Sequence, residues 1–413
     1  MKKFILSLAV LMIGVSVCLG SGFQLYSESA ADVLGIAGAS VARNGHASAA
    51  WYNPASTIDI TRPTFTGGGS ALKLSIDYKT SVRTDHLDDQ PRYAGFFYGV
   101  YPLNDDFRLN LSVNAPCGMI TQWDKSAQLS TMATFTSLRV CYITPSITWK
   151  ATEKLSLAAG PSVTIGVARL ANYIDLRKYG QGMNKNYMSA DAFGLGGFLA
   201  AYYKLTDDWA FGAKYQSRVA MALRGKAHYR QSSYLNGAIL FRDGAVHTRM
   251  DMPAFLALGV QNTSLDNWTF LFEALWTEFS SYKHQDIHFR HYPGGLARGK
   301  AANPRKWHDV WSYHFGVEYK LTDHWLLRGG YCFDYSPSNK RYVSPEMPDA
   351  DKHLFTCGVE YQGETWDFAL SYGYTRFQRT KLGTASLKRE GISERGVFHS
   401  DCHILSASVT LKF

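Results

Sequence analysis

Alternation of apolar and polar residues is the dominant pattern of this chain, and it is clearest at the C-terminus. Over residues 405–413 every second residue is apolar. A period of two places successive side chains on opposite faces of a strand. The same alternation recurs over 107–114, 209–216, 311–320 and 325–335. The pattern predicts many strands with one apolar face each, which soluble β-sandwiches and membrane barrels share.

The connections between the strands fall into two length classes. Six are short and polar, at 103–106, 151–154, 205–208, 264–267, 321–324 and 362–365. Seven long segments alternate with them, with irregular centres near 80–90, 115–136, 169–190, 225–247, 284–308, 336–351 and 380–397. Short periplasmic turns, long outer loops and an even strand number are typical of bacterial outer-membrane barrels. Six turns and seven loops require fourteen strands.

The predicted fold is therefore an all-β membrane protein, a 14-stranded antiparallel transmembrane β-barrel over residues 61–413. The sheet must close, because every backbone N–H and C=O in lipid has to pair internally. Fourteen strands enclose more space than their own side chains fill, so a plug is expected. The C-terminal Phe413, an aromatic residue on an alternating strand, is similar to the signal that barrel-assembly machinery reads.

The N-terminus predicts export. Lys2 and Lys3 precede an apolar run over 4–19 and small residues at 20–22. This is the pattern of a secretory signal peptide, placed at 1–20. A transmembrane anchor is a weaker alternative, since about 16 apolar residues are short for a span. A lipoprotein cysteine at Cys18 is a second alternative.

Residues 21–60 have a different composition from the strands. They are dense in Ala, Gly and Ser and end in Trp51-Tyr52-Asn53-Pro54-Ala55. Proline lacks an N–H and disfavours a helical residue before it. The segment therefore predicts a plug of short helical turns inside the barrel. A periplasmic linker is the alternative, although the segment is too apolar for a free linker.

The start of the mature chain resembles the FadL/TodX (OMPP1) family of outer-membrane channels for hydrophobic compounds. The matching motifs include 22–26 and Asn53-Pro54-Ala55, and 327–352 is the closest match. The resemblance implies an N-terminal hatch, in which Asn53, Pro54 and Ala55 act as the gate. It also implies uptake of long-chain fatty acids or aromatic hydrocarbons, with sideways release through the wall. The chain departs from the family at His46, where an acidic residue is usual.

A fatty acid adds one requirement, a cation for its carboxylate inside an apolar slot. Strand parity places Arg328 on the lumen side, and Arg341 and Lys352 flank one outer loop. These three are the predicted carboxylate-binding residues. Lys352 stands where the family has Arg, so it keeps the charge without the bidentate fork. The alternative is that each belongs to a lumen charge network with Asp334, acidic residues 318 and 360, or the hatch.

Composition narrows the other function classes. The formal net charge is +9 without a basic run, so nucleic acid is not an expected partner, whereas outer-membrane lipid and lipopolysaccharide are. Five cysteines beyond Cys18 are expected as free thiols, although Cys332 and Cys357 are placed to face each other on adjacent strands.

Four histidines, 284, 288, 291 and 308, lie in one long loop, but without Cys or paired carboxylates they do not predict a metal site. No catalytic signature or cofactor motif is present in the sequence, so neither an enzyme nor a cofactor is expected. A general porin, an aromatic-hydrocarbon channel and a structural or adhesive barrel stay open as rival functions.

Overall fold

The computed structural model describes residues 22–177, 182–230, 234–235, 238–239, 241–291, 299–390 and 394–413. The predicted signal peptide at 1–20 and Cys18 lie outside the described residues, so export by that peptide stays a prediction. No helix in the described ranges is long and apolar enough to cross a membrane.

Fourteen antiparallel strands form the wall, as the alternating pattern predicts. They are β1 (Thr64–Lys79), β2 (Arg92–Pro102), β3 (Phe107–Gln122), β4 (Phe135–Lys150), β5 (Leu155–Asp175), β6 (Met183–Lys204), β7 (Trp209–Gln216 and Ala222–Tyr229), β8 (Gly244–Arg249 and Phe255–Asn262), β9 (Trp268–Thr277), β10 (Val310–Lys320), β11 (Trp325–Asp334), β12 (Lys352–Gln362), β13 (Trp366–Phe377) and β14 (Val397–Lys412). The wall closes because β1 pairs with β14 from Thr64↔Lys412 to Lys79↔Val397.

Short strands and helical turns lie in the outer loops and in the lumen. The outer loops contain six short strands, Thr84–His86, Tyr234–Leu235, Ala238–Ile239, Ile287–Phe289, Gly299–Ala301 and Thr380–Lys381, among the described residues. The helical turns are the 3-10 helices Ser27–Ser29, Pro54–Asp59 and Phe279–Ser281, with α1 (Ala31–Leu34), α2 (Ala49–Tyr52) and α3 (Thr384–Glu390).

The two faces of the wall differ as the alternation requires. On β6, Phe193, Leu195 and Leu199 are 62–65% exposed, although all three are large and apolar. Their neighbour Phe198 points inward and is buried. Exposed apolar side chains in such a row are stable only against lipid, because each would cost free energy in water. The outer face of the barrel is therefore the membrane-contacting face.

The predicted turns are confirmed, whereas several predicted loops are too long. All six short connections separate consecutive strands at the expected positions. Residues 169–175 and 183–190 are strand and not loop, since β5 continues to Asp175 and β6 starts at Met183. The sequence pattern did not predict these strand extensions. A strand beyond the membrane does not need an apolar face, so its polar side chains resemble those of a loop.

Residues 22–60 lie inside the barrel. The side chains of this segment are nearly all buried, and they contact strands around much of the wall. Glycines in the wall strands have no side chain, so the backbone of the segment can approach the wall closely at these positions. A Cβ added to Gly212 of β7 would lie 1.9 Å from the Val41 carbonyl oxygen, and one added to Gly330 of β11 would lie 2.5 Å from the Ile36 carbonyl carbon. The contacts leave no free linker.

The possible pairing of Cys332 with Cys357 is wrong. Cys332 lies opposite Leu354 and is buried, whereas Cys357 lies opposite Gly329 and is exposed on the outer face. The two thiols point to opposite sides of the sheet, because their positions differ by an odd number of residues in the register. All five described cysteines are free thiols.

Candidate functional site

Asn53-Pro54-Ala55 fixes the turn between α2 and the following 3-10 helix. Asn53 is extended, with φ −156° and ψ 90°, as expected before proline. Its side-chain oxygen accepts a hydrogen bond from the Ala55 amide at 3.2 Å, which caps the 3-10 helix. Its side-chain nitrogen donates to the carbonyl oxygens of Val41, at 2.6 Å, and Ala201 of β6, at 3.0 Å.

The same motif also joins two further strands. The Pro54 carbonyl oxygen accepts a hydrogen bond from the Thr148 hydroxyl of β4 at 2.6 Å. The Ala55 carbonyl oxygen accepts one from the Ser156 hydroxyl of β5 at 2.8 Å. Asn53 and Ala55 are completely buried. The motif is therefore held by three consecutive strands, so any movement of the N-terminal segment must exchange these hydrogen bonds.

A buried carboxylate of β9 holds the middle of the segment. One oxygen of Glu273 accepts hydrogen bonds from the backbone amides of Ser40, at 2.8 Å, and Val41, at 2.7 Å. The other accepts one from the Tyr26 hydroxyl at 2.5 Å. Hydrogen bonds to a charged group contribute about 1.5–3 kcal/mol each. Glu273 thus satisfies three buried donors that would otherwise lack partners.

A charge cluster contacts the segment on the three strands that follow β9 in the wall, β10, β11 and β12. Arg43 pairs with Asp32 at 2.6 Å and with Glu318 of β10 at 2.9 Å. Arg328 of β11 pairs with Glu318 and with Glu360 of β12, both at 2.7 Å. The side chain of Arg328 is completely buried. The segment joins this cluster through Arg43, and Arg328 links the strands β10, β11 and β12 around it.

Burial shifts the pKa values of several titratable groups of the segment, Glu28 and His46 among them. Burial raises the pKa of the Glu28 carboxyl to about 7, and the negative charge of Asp334 contributes in the same direction. Burial and the Arg43 guanidinium lower the pKa of the half-buried His46 imidazole. His46 borders the charge cluster from the periplasmic side, in a polar cavity that Asp32 and Glu360 also line. His46 is thereby held in its neutral form.

The outer mouth is closed by the loop between β11 and β12, which folds into the barrel. The Pro345 carbonyl oxygen accepts a hydrogen bond from the Trp123 indole at 3.1 Å. The Glu346 carbonyl oxygen accepts one from the Thr121 hydroxyl at 3.2 Å. Ser344, Glu346 and the neighbouring Met347 are buried. Met347 borders one pocket together with Gly22, and Phe23 packs on Phe279 and Trp307 of the loop after β9.

Two buried cations lie under this loop. Lys352 pairs with Asp349 at 2.9 Å and lies 4.0 Å from Asp334. Arg305 lies 3.6 Å from Glu346 and donates a hydrogen bond to the Ser344 hydroxyl at 2.5 Å. Each cation therefore pairs with a carboxylate of the loop residues 344–349 and not with the wall alone.

An apolar pocket lies beside these cations. It is bordered by Leu74, Ile76, Met119, Ile120, Met347 and Phe377. Its volume is about 30 Å³, which is space for about two water molecules and far too little for an acyl chain. In this conformation the loop residues Met347 and Pro348 border the pocket, which has no room for an acyl chain.

The wall has a gap between β2 and β3. Their ladder runs from Pro102↔Arg108 to Phe97↔Val113 and stops there. Beyond that point β3 bulges between Asn114 and Cys117 and pairs with β4, whereas residues 92–96 of β2 pair with β1. A bulge bends its strand and ends local pairing. The facing edges of β2 and β3 are thus separated for several residues.

The N-terminal segment occupies the β3 side of the gap. The Leu25 amide donates to the Pro116 carbonyl oxygen at 2.6 Å, and the Gly118 amide donates to the Phe23 carbonyl oxygen at 2.8 Å. At the outer end the wall closes again, where Leu87 bridges to Trp123. The gap is therefore a window, bounded at both ends and lined from inside by residues 23–25.

The family of outer membrane transport proteins described as OMPP1/FadL/TodX matches residues 11–413 of this chain. The chain belongs to this family. A curated outer membrane protein of Neisseria meningitidis serogroup B is 22% identical over 473 aligned residues, which cover 100% of this chain and 99% of that protein. Outer membrane protein P1 of Haemophilus influenzae is 21% identical, with 71% of this chain and 68% of that protein covered.

Solved structures of the FadL family share the fold. A Pseudomonas aeruginosa FadL homologue has a TM-score of 0.84 at 20% identity, with 95% of this chain and 100% of that chain covered. The Pseudomonas putida toluene transporter TodX has a TM-score of 0.77 at 19% identity, with 94% and 99% covered. The protein is thus an outer-membrane FadL-family transporter of hydrophobic compounds in a Gram-negative bacterium.

The three predicted carboxylate-binding residues of this FadL-family barrel occupy different environments. Lys352 lies under the inward loop near the apolar pocket. Arg328 lies in the charge cluster below, and Arg341 is exposed, with its guanidinium 5.9 Å from the ring of Tyr342. Sequence analysis missed Arg305, because a cation in a long irregular loop carries no signal of burial.

The histidines of loop 284–308 do not converge. His288 stacks on His247 of β8, with 4.8 Å between ring centroids, whereas His308 lies near the loop after β11. Within the described ranges, no group of three or more His, Cys, Asp or Glu side chains is placed to hold a metal ion.

Proposed function

We propose that this barrel is a passive, ligand-gated channel for long-chain fatty acids, with movement of an N-terminal hatch and lateral release. The observation that carries the choice of ligand is the pairing of the buried cations Lys352 and Arg305 with loop carboxylates beside an apolar pocket. A neutral aromatic hydrocarbon carries no negative charge that could pair with a buried cation. A fatty acid has one carboxylate and an apolar tail, which match both features.

Ligand entry in this proposal is an exchange of carboxylates. In the structure, which this proposal takes as the closed state, Asp349 pairs with Lys352 and Glu346 pairs with Arg305. A fatty-acid carboxylate replaces one of them, so the cation stays paired and the desolvation cost of a bare charge is avoided. The displaced loop withdraws Met347 from the lumen and makes room for the acyl chain. Lys352 is the first candidate, Arg305 the second.

Arg328 has a different role in this proposal. Its guanidinium already faces two carboxylates, and a third would be repelled. We assign it to the anchoring of the hatch, and we assign the exposed Arg341 to first capture among the outer loops. Asn53, Pro54 and Ala55 form the gate, since their hydrogen bonds to β4, β5 and β6 must break when the hatch shifts.

Release through the window between β2 and β3 completes the path. Residues 22–25 connect the apolar pocket to the window, because Gly22 borders the pocket and Phe23 and Leu25 hydrogen-bond to β3. A shift of this stretch would open the window as the pocket fills. An acyl chain leaving there enters the membrane and never crosses water, which its hydrophobicity favours.

The test is uptake of labelled oleate and of toluene by cells that lack their own outer-membrane fatty-acid channel. Lys352→Met and Arg305→Met are expected to reduce oleate uptake at least several-fold and to leave toluene uptake within about twofold. Lys125→Gln, an exposed outer-loop cation, is the matched control.

Three results would contradict the proposal. Equal loss for both ligands would refute the carboxylate exchange. Toluene uptake without oleate uptake would favour an aromatic-hydrocarbon channel. No uptake of either by a folded barrel would favour a structural or adhesive role.

A further inference from the structure

We propose that the outer half of the wall formed by β4–β7 carries a binding site for the phosphates of lipid A, the membrane anchor of lipopolysaccharide. The site consists of Arg139, Arg169, Arg224 and Lys226, with Lys185 at its outer edge. It lies on the lipid-facing surface and is separate from the ligand path inside the barrel.

The register of the sheet brings these cations together. Across the wall, Arg139 lies opposite Val167, Val167 opposite Asp191, and Asp191 opposite Arg224. One step further out, Arg169 and Lys226 each lie opposite Ser189, from its two sides. Neighbouring strands are about 4.8 Å apart, so the two rows fit within roughly 15 Å. Four cations thus surround one carboxylate.

Parity places these side chains on the outer face. Arg169, Arg224 and Lys226 are exposed, and each alternates with buried or half-buried neighbours. Arg139 is half-buried, and its Nε is buried without a hydrogen-bond partner. Among the described residues, no carboxylate oxygen lies within 4.0 Å of a side-chain nitrogen of any of these four cations. Their charge is therefore available to a ligand.

Several cations elsewhere on the outer face form ion pairs with nearby carboxylates. On β1, Lys73 pairs with Asp89 at 3.0 Å and Lys79 with Asp77 at 3.4 Å. On β8, Arg249 pairs with Asp251 at 2.8 Å. These pairs neutralise their own charge. The unneutralised cluster on β4–β7 is therefore a local property and does not follow from the general basicity of the chain.

The depth of the cluster matches the headgroup level of the outer leaflet. Directly below Asp191 on β6, the outward residues from Phe193 to Tyr203 are apolar or small, and on β4 the same holds from Cys141 to Trp149. Each band is about 9–11 residues long, the length of tilted strand that crosses the hydrocarbon core. The long loops identify the outer side of the barrel. The cations therefore lie at the outer boundary of the hydrocarbon core.

Lipid A fits this arrangement by its chemistry. It carries phosphates on a sugar backbone and several acyl chains. Arginine binds phosphate with two parallel hydrogen bonds, and lysine binds it as a point charge. The acyl chains would lie on the exposed Phe193, Leu195 and Leu199 below. The zwitterionic headgroup of phosphatidylethanolamine would leave most of this positive charge unmatched.

The experiment measures lipid retention by the folded barrel. Purified wild type and the variant Arg139→Gln, Arg169→Gln, Arg224→Gln, Lys226→Gln are delipidated, and lipid A is titrated against each and followed by native mass spectrometry. One cation near an anionic group contributes about 1 kcal/mol, so the four substitutions are expected to weaken binding by two to three orders of magnitude. The variant Lys73→Gln, Lys79→Gln, Arg249→Gln is the control and should bind like wild type.

Two further lipids separate phosphate recognition from general attraction. Dephosphorylated lipid A should bind as weakly to wild type as lipid A does to the fourfold variant. Phosphatidylglycerol should bind wild type at least tenfold more weakly than lipid A. Equal binding of phosphatidylglycerol, or unchanged lipid A binding by the fourfold variant, would overturn the proposal. Arg224→Gln alone, in the middle of the row, keeps the test valid if the fourfold variant fails to fold.

Discussion

Removal of Arg328 tests whether the charge cluster holds the N-terminal segment in place. Arg328→Met leaves Glu360 without its arginine, whereas Glu318 keeps Arg43 at 2.9 Å. Removing one partner of a buried ion pair typically costs about 3–5 kcal/mol, because the remaining charge is uncompensated. The segment shares this cost, because Gly35 lies against the Arg328 side chain and Arg43 pairs with the same Glu318 carboxylate as Arg328.

Hydrogen–deuterium exchange of residues 31–43 is the assay. A loss of about 3–5 kcal/mol corresponds to a fall in amide protection of roughly two to four orders of magnitude. Single-channel conductance should rise in parallel, because a loosened segment leaves the lumen open to ions. The barrel strands serve as the internal reference and should keep their protection.

A double variant decides between loss of charge balance and loss of packing. Arg328→Met with Glu360→Gln removes both the cation and the carboxylate that it leaves behind, so most of the protection should return. If the single and double variants lose protection equally, the effect comes from side-chain volume. If the single variant stays fully protected, the charge cluster does not hold the segment, and the reasoning above is refuted.

Three further results are expected. Burial in the folded state raises the pKa of Glu28 to about 7. The packing of the N-terminal segment inside the barrel is therefore most stable below about pH 4.5 and loses stability as the pH rises through 7. Glu28→Gln should flatten this pH dependence of amide protection in hydrogen exchange, and an unchanged pH dependence would contradict the assignment. Gly212→Ala places a Cβ 1.9 Å from the Val41 carbonyl oxygen and should expose the segment to protease while heat-modifiability of the barrel persists. A thiol crosslink between Ala94→Cys and the native Cys117, which border the window on opposite sides, should block oleate release reversibly; unimpaired uptake would exclude release there.

The architecture was accessible from the sequence because its causes are local. The alternation at 405–413 and the turn positions follow from strand periodicity and from the need for one lipid-facing side. The fourteen strands and the outer-membrane family were predicted from these patterns and motifs, and both are confirmed. Predicted loop ends failed at 169–190, where strands leave the membrane and lose the constraint that makes them alternate.

The candidate site depended on contacts between residues far apart in sequence. Parity placed Arg328 in the lumen, but only the fold shows that Glu318 and Glu360 already face its guanidinium. Burial of Arg305 and its pairing with Glu346 required the inward fold of one outer loop. Local pattern therefore determined the strands and their faces, whereas the pairing of buried charges, the window beside β3 and the cation rows on the outer wall were decided by register across the closed sheet.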